Sequence, residues 1–288
     1  YLFNVYVLVQ VWHRFVYSTI LLAAVLPLLI LFWRKWIKEG KILHLNLFLL
    51  TNLLAAYIFG NLAAVITVWI TLLLISLGEG LFPWQGRSSA KKISLRFLAG
   101  FMFWILTDMW WILPTFSIAP GLLSQQHSGE DNLATLVVIS RQTIMPYLLQ
   151  LVNPFYLFLN SELGTVYSNT VFRMIPWIMS GLIFLGLLVS LKIKNYARYG
   201  VIFVISILLA KGAAIPFSFP YIFAFKHSYF LGILRNPFEK LGVMLPLFGA
   251  ILFTLGIQSF LIWGVKRLGN IAAKIAVILI FIVLVGYA

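Results

Sequence analysis

Apolar residues run along this chain in long blocks separated by polar interruptions. A helix rising 1.5 Å per residue needs roughly 17–25 apolar residues to cross a bilayer. Eight blocks read as such spans: residues 15–33, 42–59, 61–78, 97–115, 169–191, 199–217, 241–264 and 271–286, the last being the shortest. The expected fold is all-α, a polytopic transmembrane helical bundle of about eight spans, read as a single transmembrane domain over 1–288. The chain opens on Tyr1 with no basic stretch before its first apolar block, which reads as a piece of a longer protein.

The polar interruptions alternate in kind. Arg34, Lys35, Lys38 and Lys41 follow the first span; Arg87, Lys91, Lys92 and Arg96 follow the third; Lys192, Lys194 and Arg198 follow the fifth; Lys266, Arg267 and Lys274 follow the seventh. Basic residues concentrate in cytoplasmic loops, so these four loops are expected inside the cell and the others outside. The outer connections are a tight turn at Gly60-Asn61 and two long segments, 116–168 and 218–240. Within the first long loop, residues 133–152 are apolar but carry Arg141, Gln142 and Pro146. A further crossing there would put the later basic loops outside, so an interfacial or re-entrant helix is expected instead. Eight of the eleven prolines, including Pro114, Pro120, Pro176 and Pro237, lie at or beyond outer span ends, where they are expected to end or bend helices.

Composition agrees: 62% of residues are hydrophobic and 10% charged. A net charge of +14 suggests nucleic acid in a soluble chain, but here the cations sit mostly in short loops that orient the protein, so no nucleic-acid partner is expected and the lipid bilayer is. With no cysteine and four scattered histidines, neither a disulfide framework nor a thiolate or histidine metal site is expected. No cofactor is required, although carboxylates and a phosphate admit Mg²⁺ or Mn²⁺.

Ionisable groups inside apolar spans cost roughly 2.5–3.5 kcal/mol on the gentlest scale, so each asks for a partner, water or a substrate. Asp108, Arg173 and Lys211 are such groups, and threading the spans brings all three toward the outer face. Asp108 lies on the order of 10 Å below the outer end of its span, as a base, a hydroxyl-orienting group or a structural partner of the two cations. Arg173 and Lys211 lie near outer span ends and reach the interface by snorkelling. Lys211 precedes Gly212-Ala213-Ala214 in a stretch whose small residues permit close approach, and a lysine there suits a phosphate. In Arg235-Asn236-Pro237-Phe238-Glu239-Lys240, Asn236 reads as a helix N-cap and Pro237 as the first turn, with Glu239 near the positive helix end.

That motif, followed by a long apolar helix, resembles the Arg-Asp-Pro-x-Lys type of motif in large bacterial glycosyltransferases of the C superfamily, those resembling mycobacterial arabinofuranosyltransferases. Phe3-Asn4-Val5-Tyr6 through Trp12-His13-Arg14 and Trp110-Trp111-Ile112-Leu113-Pro114 resemble further family segments in the same order. Asn236 stands in place of the motif's aspartate, and Lys240 lies one place later. The resemblance implies transfer of a sugar from a polyprenyl-phosphate donor to an extracytoplasmic glycan or lipid acceptor at the cell membrane. It implies Arg235, Lys240 and Lys211 as candidates for the lipid phosphate, with Glu239 and Arg173 beside them. Trp110 and Trp111 are implied to stack on a sugar or mark the interface, and Asp108 is implied as a candidate for acceptor activation. The family's principal carboxylate sits in a first external loop, expected upstream of this chain. Two other readings stay open from the residues alone: a transporter or flippase for a lipid-linked or anionic solute, and a non-catalytic membrane scaffold.

Overall fold

The structure, a computed structural model, describes residues 17–82, 90–125, 129–143, 145–149, 170–215, 218–227, 234–268, 271, 275–280 and 282. The Phe3 to Arg14 motif and most of the eighth expected span fall outside these residues. Among the described residues there are eleven α-helices and no strand. They are α1 (Tyr17–Glu39), α2 (Ile42–Leu54), α3 (Leu62–Leu81), α4 (Ala90–Gln125), α5 (Gly129–Gln142), α6 (Met145–Leu149), α7 (Thr170–Lys192), α8 (Lys194–Lys211), α9 (Ser218–His227), α10 (Pro237–Leu241) and α11 (Met244–Leu268), with a 3₁₀ turn at Ala56–Gly60. Five of them, α1, α3, α4, α7 and α11, are long and apolar enough to cross a membrane. The protein is an all-α, multi-pass membrane helical bundle.

Three expected spans differ from those five. Helix α2 has only 13 residues, about 20 Å, but the 3₁₀ turn continues it by about 10 Å, so the two together match a hydrocarbon core of about 30 Å. Helix α8 has 18 residues and carries Lys194, Arg198 and Lys211. The last span is described only at 271, 275–280 and 282. At the other extreme, α4 runs 36 residues and continues beyond Pro114 and Pro120, where the span was expected to end at residue 115. The segment expected to be interfacial or re-entrant is α5, 14 residues long, followed after a break at Thr143 by the single turn α6. At about 21 Å, α5 is too short to cross.

The described residues form two compact units, one within Tyr17–Leu136 and Phe219–Arg235, the other within Val137–Ser218 and Asn236–Ala288. In the first, α1 to α4 alternate in direction. Helix α1 ends at Gly40, whose φ of +71° is the left-handed conformation that only glycine adopts without strain, and whose N–H donates to Trp36 O at 2.8 Å. Arg96 of α4 donates to Ile37 O and Lys38 O, both at 2.7 Å, and so satisfies carbonyls that the helix end leaves open. Beside it, Glu79 of α3 is buried against Arg34 Nε and 3.5 Å from Lys38 Nζ. Asn61 caps α3, its Oδ1 accepting from the Ala63 N–H at 3.1 Å.

Between those ends the unit is filled by aromatic rings. Trp33 is fully buried, donates to Ser76 Oγ at 2.9 Å and meets Phe48, Trp69 and Phe97 at centroid distances of 4.9 to 5.5 Å. Trp69 continues to Trp104 at 4.9 Å, and Trp104 to Trp111 at 6.0 Å. In lipid, helices gain little from excluding water, so close packing and internal hydrogen bonds hold them together. Buried Thr67, Thr71 and Ser76 accordingly return their hydroxyls to carbonyls four residues back.

The second unit is built on a crossing of α7 with α11 so close that a Cβ on Gly186 would strike the Leu252 carbonyl, and one on Gly256 the Leu182 carbonyl. Such small residues let backbones touch. Helix α8 turns back along α7 after Ile193, and Gly249 of α11 lies within reach of both Ile183 and Phe203. Arg198 is buried in α8, 2% exposed, with its guanidinium 5.0 Å from the Tyr199 ring centroid. At the far end of α8, Gly212 (φ +67°) packs against Pro237 and Ser140, and Ser140 Oγ accepts from the Ala213 N–H at 3.0 Å. The start of α7, the end of α8 and the segment entering α11 therefore share one end of this unit.

Candidate functional site

Asp108 sits on α4 with no exposed surface. Its Oδ2 accepts from Asn52 Nδ2 of α2 at 2.7 Å, and its Oδ1 accepts from Trp111 Nε1, three residues on, at 2.8 Å. One helical turn brings Trp111 over Asp108, because side chains three apart share a helix face. The partners within the first unit are thus two neutral N–H donors. Asn52 Oδ1 is buried with no donor among the described residues. Asp108 belongs to the first unit, and Arg173 and Lys211 to the second.

Trp111 has a second contact surface. With Trp110, Ser18, Tyr57, Asn61 and Thr115 it lines a cleft of about 640 Å³. These residues come from the start of α1, the turn between α2 and α3, and the upper part of α4. The cleft therefore lies at the end of the first unit opposite Gly40, Glu79 and Arg96. Trp110 and Tyr57 are 63% and 68% exposed.

In the second unit, the two polar motifs picked from sequence meet. Gly212, next to Lys211, contacts Pro237 directly. Asn236 caps α10 as expected: its Oδ1 accepts from the Glu239 N–H at 3.3 Å, while its Nδ2 donates to Glu239 Oε2 at 2.8 Å. Lys240 Nζ lies 3.8 Å from Glu239 Oε1. Helix α10 is a single turn, Pro237–Leu241, separate from the long α11, so the motif forms its own bend ahead of the span. Arg235, the exposed residue before it in the chain, falls in the first unit. Arg173 lies on the first turn of α7, at the same end of the unit as Lys211.

Sequence reasoning missed Asn52, Ser140 and the roles of Arg96 and Arg198. Asn52, an amide within an apolar block, carried the same signal as Asp108. Ser140 carried none, and Arg96 and Arg198 were hidden among loop cations. No family model, curated protein or solved structure matches the chain.

Proposed function

We propose that this chain is a membrane glycosyltransferase of the C-superfamily kind, which transfers a sugar from a polyprenyl-phosphate donor to a cell-envelope glycan or lipid acceptor on the extracytoplasmic side of the cell membrane. The observation that carries this reading is the meeting of the Lys211 turn with the Asn236 to Lys240 bend, at the end of the second unit away from Lys192, Lys194 and Arg267. Cations at that end run against the charge bias that orients the protein, and such a position suits groups that bind a phosphate.

The chemistry suits that placement. An acceptor hydroxyl oxygen bonds to the anomeric carbon as the bond from that carbon to the phosphate oxygen breaks, and the acceptor proton passes to a base. Polyprenyl phosphate leaves with added negative charge, which fixed lysine and arginine groups stabilise where water is scarce. Lys211 and Lys240 are assigned to that phosphate, with Glu239 holding Lys240 in place and Arg173 as a further cation of the same end, and the motif resemblance adds Arg235. Asp108, bound by Asn52 and Trp111, is assigned to fixing Trp111 instead of taking the acceptor proton.

Membranes bearing the full-length protein are to be incubated with radiolabelled polyprenyl-phosphate sugars. Transfer of label into glycan or lipid is expected, and Lys211→Ala and the double change Arg235→Ala with Lys240→Ala are each expected to lower it about 100-fold. Absence of transfer from every donor, or transfer that ignores these substitutions, overturns the reading. Flux of a lipid-linked solute in proteoliposomes without covalent transfer puts a transporter in its place.

A further inference from the structure

The cleft of the first unit has a lining unlike that of a phosphate site. Its flat walls are Trp110, Trp111 and Tyr57, and its polar groups are the hydroxyls of Ser18 and Thr115 and the amide of Asn61. Among the described residues no cation lines it, and the carboxylate of Asp108 is buried behind Trp111 with each oxygen holding an N–H donor. The start of α3 is already capped by Asn61 Oδ1, so an anion gains little there, and an acyl chain has no use for three hydrogen-bonding groups. Aromatic faces carry negative charge density, so they attract the C–H face of a sugar ring, whose hydroxyls point to its rim. Asn61 suits that rim: its Oδ1 is spent on the α3 cap, which leaves its Nδ2 amide as the donor. The volume of about 640 Å³ falls within the roughly 300–1,000 Å³ of small-molecule sites.

We propose that this cleft is a binding site for an uncharged glycosyl unit, with Trp111 as its platform and Asp108 and Asn52 as the residues that hold the platform in position. Ring orientation is what Asp108 supplies. Its Oδ1 fixes the indole N–H from below, while Asn52 fixes the carboxylate from α2, so the angle of the Trp111 face is set by three side chains on two helices. Trp104, at 6.0 Å from Trp111, supports the ring within the bundle. The proposal deepens the transferase reading and rests on it only in expecting a sugar; binding here requires no transfer.

The test uses the full chain in lipid nanodiscs assembled without glycoside detergents, titrated with methyl hexopyranosides and methyl pentofuranosides and read by saturation-transfer NMR. At least one glycoside is expected to receive saturable transfer at its ring protons. Tyr57→Ala, which leaves the Asp108 contacts intact, and Trp111→Ala are each expected to weaken binding about tenfold or more. Asp108→Ala is expected to weaken it less, and Asp108→Asn to restore most of it. Lys192→Ala, at an exposed position with no part in either site, is expected to leave it unchanged, and inorganic phosphate not to compete. The proposal is overturned if no glycoside binds saturably, if binding survives Tyr57→Ala and Trp111→Ala unchanged, or if phosphate displaces the glycoside. Loss of transfer with glycoside binding retained counts against the transferase reading alone, and loss of glycoside binding with transfer retained counts against the cleft alone.

Discussion

Asp108 shows how a buried carboxylate in a span is held by neutral donors. Two N–H donors, one from a neighbouring helix and one from its own, take its two oxygens. Asp108→Ala strands both donors inside the bundle, and leaving buried donors unsatisfied is expected to destabilise the protein by about 2 kcal/mol. Asp108→Asn keeps the shape and one acceptor. Asn52 then has only to turn its amide so that its presently unpartnered Oδ1 accepts from the new N–H, exchanging one unsatisfied atom for another. Thermal unfolding of the purified protein should show a clear loss of Tm for Asp108→Ala and little for Asp108→Asn; equal losses would mean that charge, not hydrogen bonding, is what the site needs. Gly40 is a second test at this scale. Its φ of +71° costs an L-residue about 1–2 kcal/mol, and a Cβ there would meet the Arg96 guanidinium at 2.5 Å. Gly40→Ala should therefore lower Tm beyond the strain alone, and Arg96→Ala should reproduce part of that loss, since both release the carbonyls at the end of α1.

Among elements, the α7 and α11 crossing separates two kinds of glycine on one helix. A Cβ at Gly186 runs into the Leu252 backbone, whereas one at Gly181, five residues earlier, meets nothing within 4 Å. Gly186→Ala has to push the helices apart and is expected to cost about 1–3 kcal/mol, as overpacking does. Gly181→Ala relieves only backbone freedom and is expected to raise stability by up to about 1 kcal/mol. Opposite shifts in unfolding temperature confirm the crossing; shifts of the same sign would place the contact elsewhere. The same contrast marks what was legible in the sequence. Apolar length gave the five long spans, and local capping rules gave the Asn61 turn and the Asn236-Pro237 bend, because those features depend on neighbours within a few residues. Pairings such as Asn52 with Asp108, 56 apart, or Ser140 with Ala213, 73 apart, depend on helix packing that no local pattern encodes. Pro114 and Pro120 do not end α4 for the complementary reason: proline is a strong local stop, yet a helix that continues past it loses one backbone bond per ring and remains a helix.

At the scale of the molecule, charge divides each unit end from end. In the first unit Arg34, Lys38, Lys41, Lys91 and Arg96 gather where α1 ends and α4 begins, while the cleft with Tyr57 and Trp110 occupies the other end. In the second, Lys192, Lys194 and Arg267 lie opposite the end where Gly212 meets Pro237. The positive-inside rule then predicts the same sidedness twice from independent sets of residues: both basic ends cytoplasmic, the cleft and the Lys211 turn outside. The chain contains no cysteine, so single cysteines report position without a background. Tyr57→Cys and Ile215→Cys, at positions 68% and 79% exposed, should react with a membrane-impermeant maleimide on intact cells. Lys91→Cys and Lys266→Cys, also at exposed positions, should react only after the membrane is opened. Because Tyr57 and Lys91 belong to the first unit and Ile215 and Lys266 to the second, the experiment tests each orientation separately. Labelling of Lys91→Cys from outside would turn the cleft toward the cytoplasm, and labelling of Lys266→Cys from outside would do the same to the Lys211 turn, removing the placement on which an extracytoplasmic lipid-phosphate donor depends.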